Sequence, residues 1–184
     1  MAKYLLATLC VAALAIFALP ARAADDVVSA VHGTVTKVDS GSKTIVVKTK
    51  DGTEHTIHYV DKTTVHGADA TAEGARDSYK GVKEGSEVVV HYTEKGTEKT
   101  GVEIDRIGKD GVKTVDGTVE KVGDGGKTVV VKTADGTEHS FRVAGRDTAK
   151  SAEEIGKGTD KGAKVTVYYT ESAGKKVAHF FEKL

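Results

Sequence analysis

The chain has 184 residues, with 27 Lys and Arg against 27 Asp and Glu, and it contains one cysteine, one methionine and one proline. A single cysteine excludes a disulfide scaffold and a site built on several thiolates. The balanced charge provides no basic field that could hold a polyanion, so we expect no sequence-independent binding of nucleic acid.

Residues 1–23 have the pattern of a secretory signal peptide. A short basic start precedes the apolar run 5–19, and a small-x-small cleavage signal ends at Ala23. About 15 apolar residues fall short of the ~20 that span a bilayer, which favours cleavage over a membrane anchor. Lipidation of Cys10 is disfavoured because that residue lies inside the run. We therefore expect a periplasmic or secreted protein without a transmembrane segment after cleavage, and without cysteine or methionine.

The rest of the chain contains one small unit written twice. Residues 33–55 and 117–139 are identical at 17 of 23 positions, at an offset of 84. Such a repeat indicates two small domains rather than one large domain. We expect the first at 31–107, a short glycine-containing linker at 108–113, and the second at 114–184.

In the first unit, alternating apolar residues and β-branched side chains predict strands at 31–38, 43–49, 53–60, 87–93 and 98–107. A slip in the alternation indicates a bulge near Lys37, and Asp51-Gly52 is a hairpin signal. The connection 61–85 loses the alternation, and we expect a short helix or turn there.

The second unit predicts strands at 115–122, 127–133, 137–143, 164–170 and 175–182, with a connection seven residues shorter than 61–85. Three strands, an irregular connection and two further strands is the order of an OB-type small barrel. The predicted fold class is therefore all-β, with two tandem five-stranded OB-like barrels. A half-open sandwich of the same strands is the alternative.

These turn and core signals resemble a bacterial family of exported small β-barrels that is catalogued only as a domain of unknown function. The family pattern G-T-V-x-x-V begins at Gly33 and Gly117, and K-x-G-x-x-V-x-V begins at Lys83. The second unit departs from the latter pattern, because no residue separates Lys161 from Gly162. The resemblance implies an OB-like barrel in the cell envelope, and it brings no catalytic residues.

Histidine is the residue type with the most chemical promise, and five of the seven lie in the first unit: His32, His55, His58, His66 and His91. The chain lacks the helical His spacing of zinc enzymes, and the predicted strand places His55 and His58 on opposite faces. The absence of mature Met and Cys disfavours copper(I). We therefore interpret the histidines as scattered surface or strand-end residues, and we assign no metal ligands and no cofactor.

The remaining polar residues do not form a recognisable catalytic set. The acidic residues are dispersed, the serines lack a nucleophile-elbow context, and no phosphate-binding glycine loop is present. Tyr168 is expected on an outer strand face, at the position that corresponds to His91, and one such aromatic is too few for a stacking platform. We expect a protein that is not an enzyme.

The leading hypothesis is an exported, non-enzymatic binding or structural module with an unknown envelope ligand or protein partner. The alternative is a ligand-binding protein for a divalent metal or an envelope oligosaccharide, and a hydrolase with scattered carboxylates comes third. Connections carry function more often than strands do, and the longer connection in the first unit holds His66, Arg76 and Tyr79. If the protein binds a ligand, we expect these three residues to line the contact.

Overall fold

The structure is a computed structural model, and it describes residues 28–67, 78–108, 111–144 and 159–184. Within these ranges the chain forms β-strands and one 3₁₀ turn at Asp124–Gly126. The strands are β1 (Val28–Asp39), β2 (Thr44–Lys48), β3 (Glu54–His58), β4 (Thr64–His66), β5 (Ser78–Tyr79), β6 (Val82–Lys83), β7 (Glu87–Lys95), β8 (Glu98–Arg106), β9 (Lys113–Gly123), β10 (Thr128–Lys132), β11 (Glu138–Val143), β12 (Lys164–Ser172) and β13 (Lys175–Lys183).

Two closed five-stranded barrels follow one another along the chain, so the predicted fold class is confirmed. Barrel 1 has the order β3-β2-β1-β7-β8 and closes where β3 pairs in parallel with β8, while β4 continues the sheet beyond β8. Barrel 2 has the order β10-β11-β13-β12-β9, and β11 pairs in parallel with β13. The third and fifth long strands therefore close both barrels in the same way.

The strand boundaries follow the sequence closely, and the differences lie in the connections. The expected bulge is present, because the pairing of β1 with β2 shifts register between Val35 and Lys37. The described part of the connection 61–85 forms the short strands β4, β5 and β6, and the middle of the connection, residues 68–77, lies outside the described residues, so the expected short helix or turn stays a prediction. β1 begins at Val28 and β9 at Lys113, so paired structure extends beyond the expected boundaries. The predicted signal peptide lies outside the described residues.

Each barrel has its own core of alternating β-branched and aromatic side chains. Barrel 1 buries, among others, Val35, Ile45, Val47, Ile57 and Ile104. Barrel 2 buries, among others, Val119, Val129, Val131, Phe141 and Phe181. These residues lie on the inner face of each strand, and their removal from water is the main favourable contribution to folding.

A third apolar cluster joins the two barrels. It contains the buried residues Val89, Val112 and Tyr168, with Ala30, Ile107 and Phe180 packed against them. Val89 faces away from the core of barrel 1, because its neighbours Val88 and Val90 face inward. Tyr168, which we expected on an open outer face, is only 4% exposed because barrel 1 covers it. The outer face of one barrel is thus the packing surface of the other.

A repeated glycine marks a close approach of strands in each barrel. A Cβ atom on Gly117 would lie 2.5 Å from Val131 Cγ1 and 2.7 Å from the carbonyl oxygen of Lys132. At the equivalent Gly33, a Cβ atom would lie 2.3 Å from the carbonyl oxygen of Lys48. Backbone atoms cannot move aside as a flexible side chain does, so both positions require glycine.

We expect Gly117→Ala to lower the free energy of unfolding by about 1–3 kcal/mol, through overpacking against β10. Gly123→Ala on the same strand is the matched control, because the nearest atom to its Cβ would be 4.0 Å away. We expect this control to stay within about 0.5 kcal/mol of wild type. Urea unfolding followed by far-ultraviolet circular dichroism provides the comparison, and equal midpoints for the two variants would contradict the packing argument.

Candidate functional site

Four polar side chains of barrel 1 lie together on its outer face, across β4, β8 and β7. Glu103 and Asp105 are two residues apart on β8, so both point outward while Ile104 between them points into the core. The strand register places His91 of β7 opposite Glu103 and His66 of β4 opposite Asp105. Simple strand geometry therefore gathers two histidines and two carboxylates.

Barrel 2 adds a fifth side chain, His179, through a bulge in β13. Tyr168 pairs with Phe180 and Tyr169 pairs with Ala178, which leaves His179 as the extra residue. Ala178 is buried in the core of barrel 2, whereas Phe180 belongs to the cluster between the barrels. Bulges redirect side chains in this way and are common next to functional sites. The bulge here brings His179 to the carboxylates of barrel 1.

Asp105 is the centre of the arrangement. Its Oδ2 atom lies 3.0 Å from His179 Nδ1 and 3.4 Å from His91 Nε2, and its Oδ1 atom lies 2.9 Å from His66 Nδ1. Glu103 Oε1 lies 3.2 Å from His66 Nδ1 and 3.5 Å from His179 Nδ1. Each oxygen of the Asp105 carboxylate thus faces a different group of histidine nitrogens.

Three of these residues are deeply buried: exposure is 4% for His91, 0% for Asp105 and 5% for His179. Within the described ranges, His91 Nε2, Asp105 Oδ2 and His179 Nδ1 make no hydrogen bond. The two ring nitrogens lie at ion-pair distance from Asp105 Oδ2, 3.0 Å for His179 and 3.4 Å for His91, without meeting hydrogen-bond geometry. A buried polar atom without a hydrogen bond costs about 1–3 kcal/mol; the ion-pair contacts among these three atoms offset part of that cost, and one shared partner would satisfy all three.

The charges at this point shift two pKa values in opposite directions. Burial alone would lower the pKa of His179, but the close carboxylates of Asp105 and Glu103 outweigh burial and raise it to about 9. Burial alone would raise the pKa of Asp105, but His179 and His91 outweigh it and hold the pKa well below its usual range. Without another cation, His179 is therefore protonated at neutral pH and paired with an ionised Asp105.

A neighbouring hydroxyl orients the His179 ring. Thr170 Oγ1 lies 2.9 Å from His179 Nε2, on the side of the ring opposite the site. When this hydroxyl accepts a hydrogen bond from Nε2–H, the neutral ring presents the lone pair of Nδ1 to Asp105 and His91. Such outer hydrogen bonds fix the tautomer of metal-binding histidines.

The predicted site residues have different outcomes. His66 contacts Asp105 and Glu103, so the longer connection does contribute to the cluster. Tyr79 has a packing role, because its ring stacks on Tyr59 with centroids 3.7 Å apart and its hydroxyl bonds to a main-chain carbonyl. Arg76 lies outside the described residues.

Sequence reasoning missed four members of the cluster: His91, Glu103, Asp105 and His179. The two histidines were expected on the surface or at strand ends, and the structure corrects this, because barrel-barrel packing buries both. Asp105 was counted among the dispersed acids. The available signal was the alternation on β8, which places two carboxylates on one outer face.

The equivalent positions of barrel 2 form a different cluster on the same interface. Tyr168 and Glu182 follow His91 and Asp105 by the same 77 residues, and the Tyr168 hydroxyl donates to Glu182 Oε2 at 2.7 Å. His32 of barrel 1 lies 3.2 Å from that hydroxyl and 3.0 Å from Glu87 Oε1. Burial and Glu182 raise the pKa of Tyr168 above its usual range. This second cluster consists of hydrogen-bonded partners.

No family model matches the chain, and no curated protein matches it either. Similar chains among the solved structures include one described as "Crystal structure of Ag(I)CusF", with 16% identity and a TM-score of 0.32. The match covers 44% of this chain and 97% of that chain, and a likeness at this level carries no argument about the ligand. Among the described residues, no helix has the length and apolar character to cross a membrane.

We expect the metal-free protein to show a His179 imidazole that titrates near pH 9 rather than near its ordinary 6.5. Because the pKa is raised in the folded state, the stabilising pair with Asp105 is fully present below about pH 6.5 and is lost as the pH rises through about 9. The proton and nitrogen NMR chemical shifts of the His179 ring, followed as a function of pH, measure the titration midpoint. Asp105→Asn removes the negative charge but keeps the burial of His179, so the titration midpoint of His179 should fall in this variant. A wild-type midpoint at or below 6.5 would refute this electrostatic account.

Proposed function

We propose that this protein binds a divalent metal ion between its two barrels, with His91, Asp105 and His179 as ligands. The single observation that carries the proposal is the meeting of three buried donor atoms without hydrogen bonds at one point. Two of the ligands come from barrel 1 and one from barrel 2. The proposed site therefore exists only when the barrels are docked.

The spacing of the donors fits a small cation. Zinc forms bonds of about 2.0–2.1 Å to nitrogen and oxygen, and tetrahedral geometry then puts neighbouring ligand atoms about 3.3–3.4 Å apart. Asp105 Oδ2 lies 3.0 Å from one histidine nitrogen and 3.4 Å from the other, and the three donors all lie within 4.8 Å of one another.

The donor types favour a borderline divalent ion such as Zn²⁺. Imidazole and carboxylate suit zinc and related divalent ions, whereas soft copper(I) prefers sulfur. Residues 24–184 contain neither cysteine nor methionine. A fourth position remains for water or for Glu103 Oε1, which lies 3.5 Å from His179 Nδ1.

Metal and proton compete for His179. The ring must lose its proton before Nδ1 can bind an ion, so binding releases a proton and weakens as the pH falls. In the metal-free state the imidazolium ion supplies positive charge next to Asp105. The incoming ion takes over this role, which lets the barrels stay docked in both states.

The wider setting of the proposal comes from the sequence. The signal-peptide pattern of residues 1–23 supports export, so we place the metal site in the periplasm or outside the cell. The sequence has no nucleophile-elbow motif, and the two carboxylates that converge in the described residues, Glu103 and Asp105, both contact histidines, which supports a binding role and not an enzymatic one. The oligosaccharide alternative receives less support, because Tyr168, its outward aromatic, is buried between the barrels.

Calorimetric titration of chelator-treated protein with Zn²⁺ tests the proposal. We expect saturable binding, and His91→Gln or His179→Gln should weaken it by at least about 100-fold, since loss of a direct ligand exceeds the 10–100-fold effect of outer residues. Zinc at 100 times Kd should add about 2.7 kcal/mol to the stability of the wild type. His139→Gln is the control, because the imidazole of His139 belongs to neither donor group found among the described residues. The proposal would be overturned if the wild type showed no saturable binding of Zn²⁺, or if the His91→Gln and His179→Gln variants bound Zn²⁺ as tightly as the wild type.

A further inference from the structure

We infer that Asp105 is a bridging carboxylate, which holds a second, more exposed divalent cation together with His66 and Glu103. This inference rests on the proposed function, because it adds an outer ion to the inner ion of His91 and His179. The observation behind it is that the two oxygens of Asp105 contact different histidines. Oδ2 faces the inner histidines, and Oδ1 faces His66.

The outer donor group has the spacing of a coordination site. His66 Nδ1 lies 2.9 Å from Asp105 Oδ1 and 3.2 Å from Glu103 Oε1, and one donor atom from each residue lies within 4.8 Å of the other two. Octahedral or tetrahedral coordination with bonds of about 2.0–2.1 Å puts neighbouring ligands about 2.8–3.4 Å apart. One nitrogen and two carboxylate oxygens suit the same borderline divalent ions as the inner group.

The two donor groups differ in their access to solvent. The side chains of His66 and Glu103 are 50% and 16% exposed, whereas His91 and His179 are almost fully enclosed. An outer ion would keep coordination positions open to water, and an inner ion would be enclosed by protein. The outer ion is therefore the exchangeable one of the pair.

Electrostatics sets the order of binding. Asp105 and Glu103 supply two negative charges, so one divalent ion is neutralised and a second is not. Two-metal sites in proteins tolerate ions about 3.5–4 Å apart when a shared ligand lies between them. Asp105 is the shared ligand here, but repulsion between the ions remains. We expect the outer ion to bind at least about 10-fold more weakly than the inner ion.

The counterpart cluster in barrel 2 lacks this capacity. At the position of His91 it has Tyr168, whose hydroxyl donates a hydrogen bond to Glu182 instead of offering a lone pair from nitrogen. The two ring nitrogens of His32 contact different carboxylates: Nε2 contacts Glu87 and Nδ1 contacts Glu182. Within the described residues, both groups of potential metal donors contain Asp105.

Zinc stoichiometry of the full chain, from native mass spectrometry and calorimetry, tests the inference. We expect two ions for the wild type in a tight and a weaker step. His66→Ala and Glu103→Gln should each lose the weaker step and keep one ion. His58→Ala is the control for removal of a partly exposed strand histidine outside both donor groups, and it should keep both steps.

The outcomes separate the two proposals. One ion bound by the wild type would overturn the bridging role and leave the inner site in place, and no ion would overturn the proposed function itself. Two ions in both His66→Ala and Glu103→Gln would also overturn the bridging role, because the second ion would then bind elsewhere. Both variants, His66→Ala and Glu103→Gln, are used because if one fails to fold, the zinc stoichiometry of the other still tests the bridging role.

Discussion

A carboxylate with no exposure to solvent lies between the two barrels, and the rest of the interface depends on it. An isolated buried charge costs several kcal/mol, so Asp105 requires positive charge at close range. Barrel 1 alone supplies His91 and the half-exposed His66, and barrel 2 completes the set with His179. Docking therefore serves two purposes at once: it buries Tyr168 and Val89, and it provides the counter-charge.

Duplication of one unit produced an asymmetric interface. Equivalent positions of the two barrels meet, but His91 and Asp105 in barrel 1 correspond to Tyr168 and Glu182 in barrel 2. Tyr168 and Glu182 form a hydrogen bond with each other, whereas His91 Nε2 and Asp105 Oδ2 lie close together without one. The same backbone thus holds a closed polar contact on one side and an open donor group on the other. We attribute the proposed binding role to this divergence and not to either barrel alone.

The sequence predicts the barrels well and the site poorly, for distinct physical reasons. Strand position depends on local alternation and turn residues, which the repeat displays twice. The site depends on a bulge that turns His179 outward and on the packing of one barrel on the other. Neither is a property of a single strand pattern. His66 could be identified because the longer connection of the first unit sets it apart, whereas the alternation on β8 places Asp105 on an outer face but does not show that barrel 2 covers it.

Anomalous diffraction from crystals grown with zinc would test the central claim most directly. The account predicts a peak between the barrels, about 2.0–2.2 Å from His91 Nε2, Asp105 Oδ2 and His179 Nδ1, because these are ordinary zinc bond lengths. Peaks confined to other histidines, or barrels that separate so that His179 no longer reaches Asp105, would contradict it.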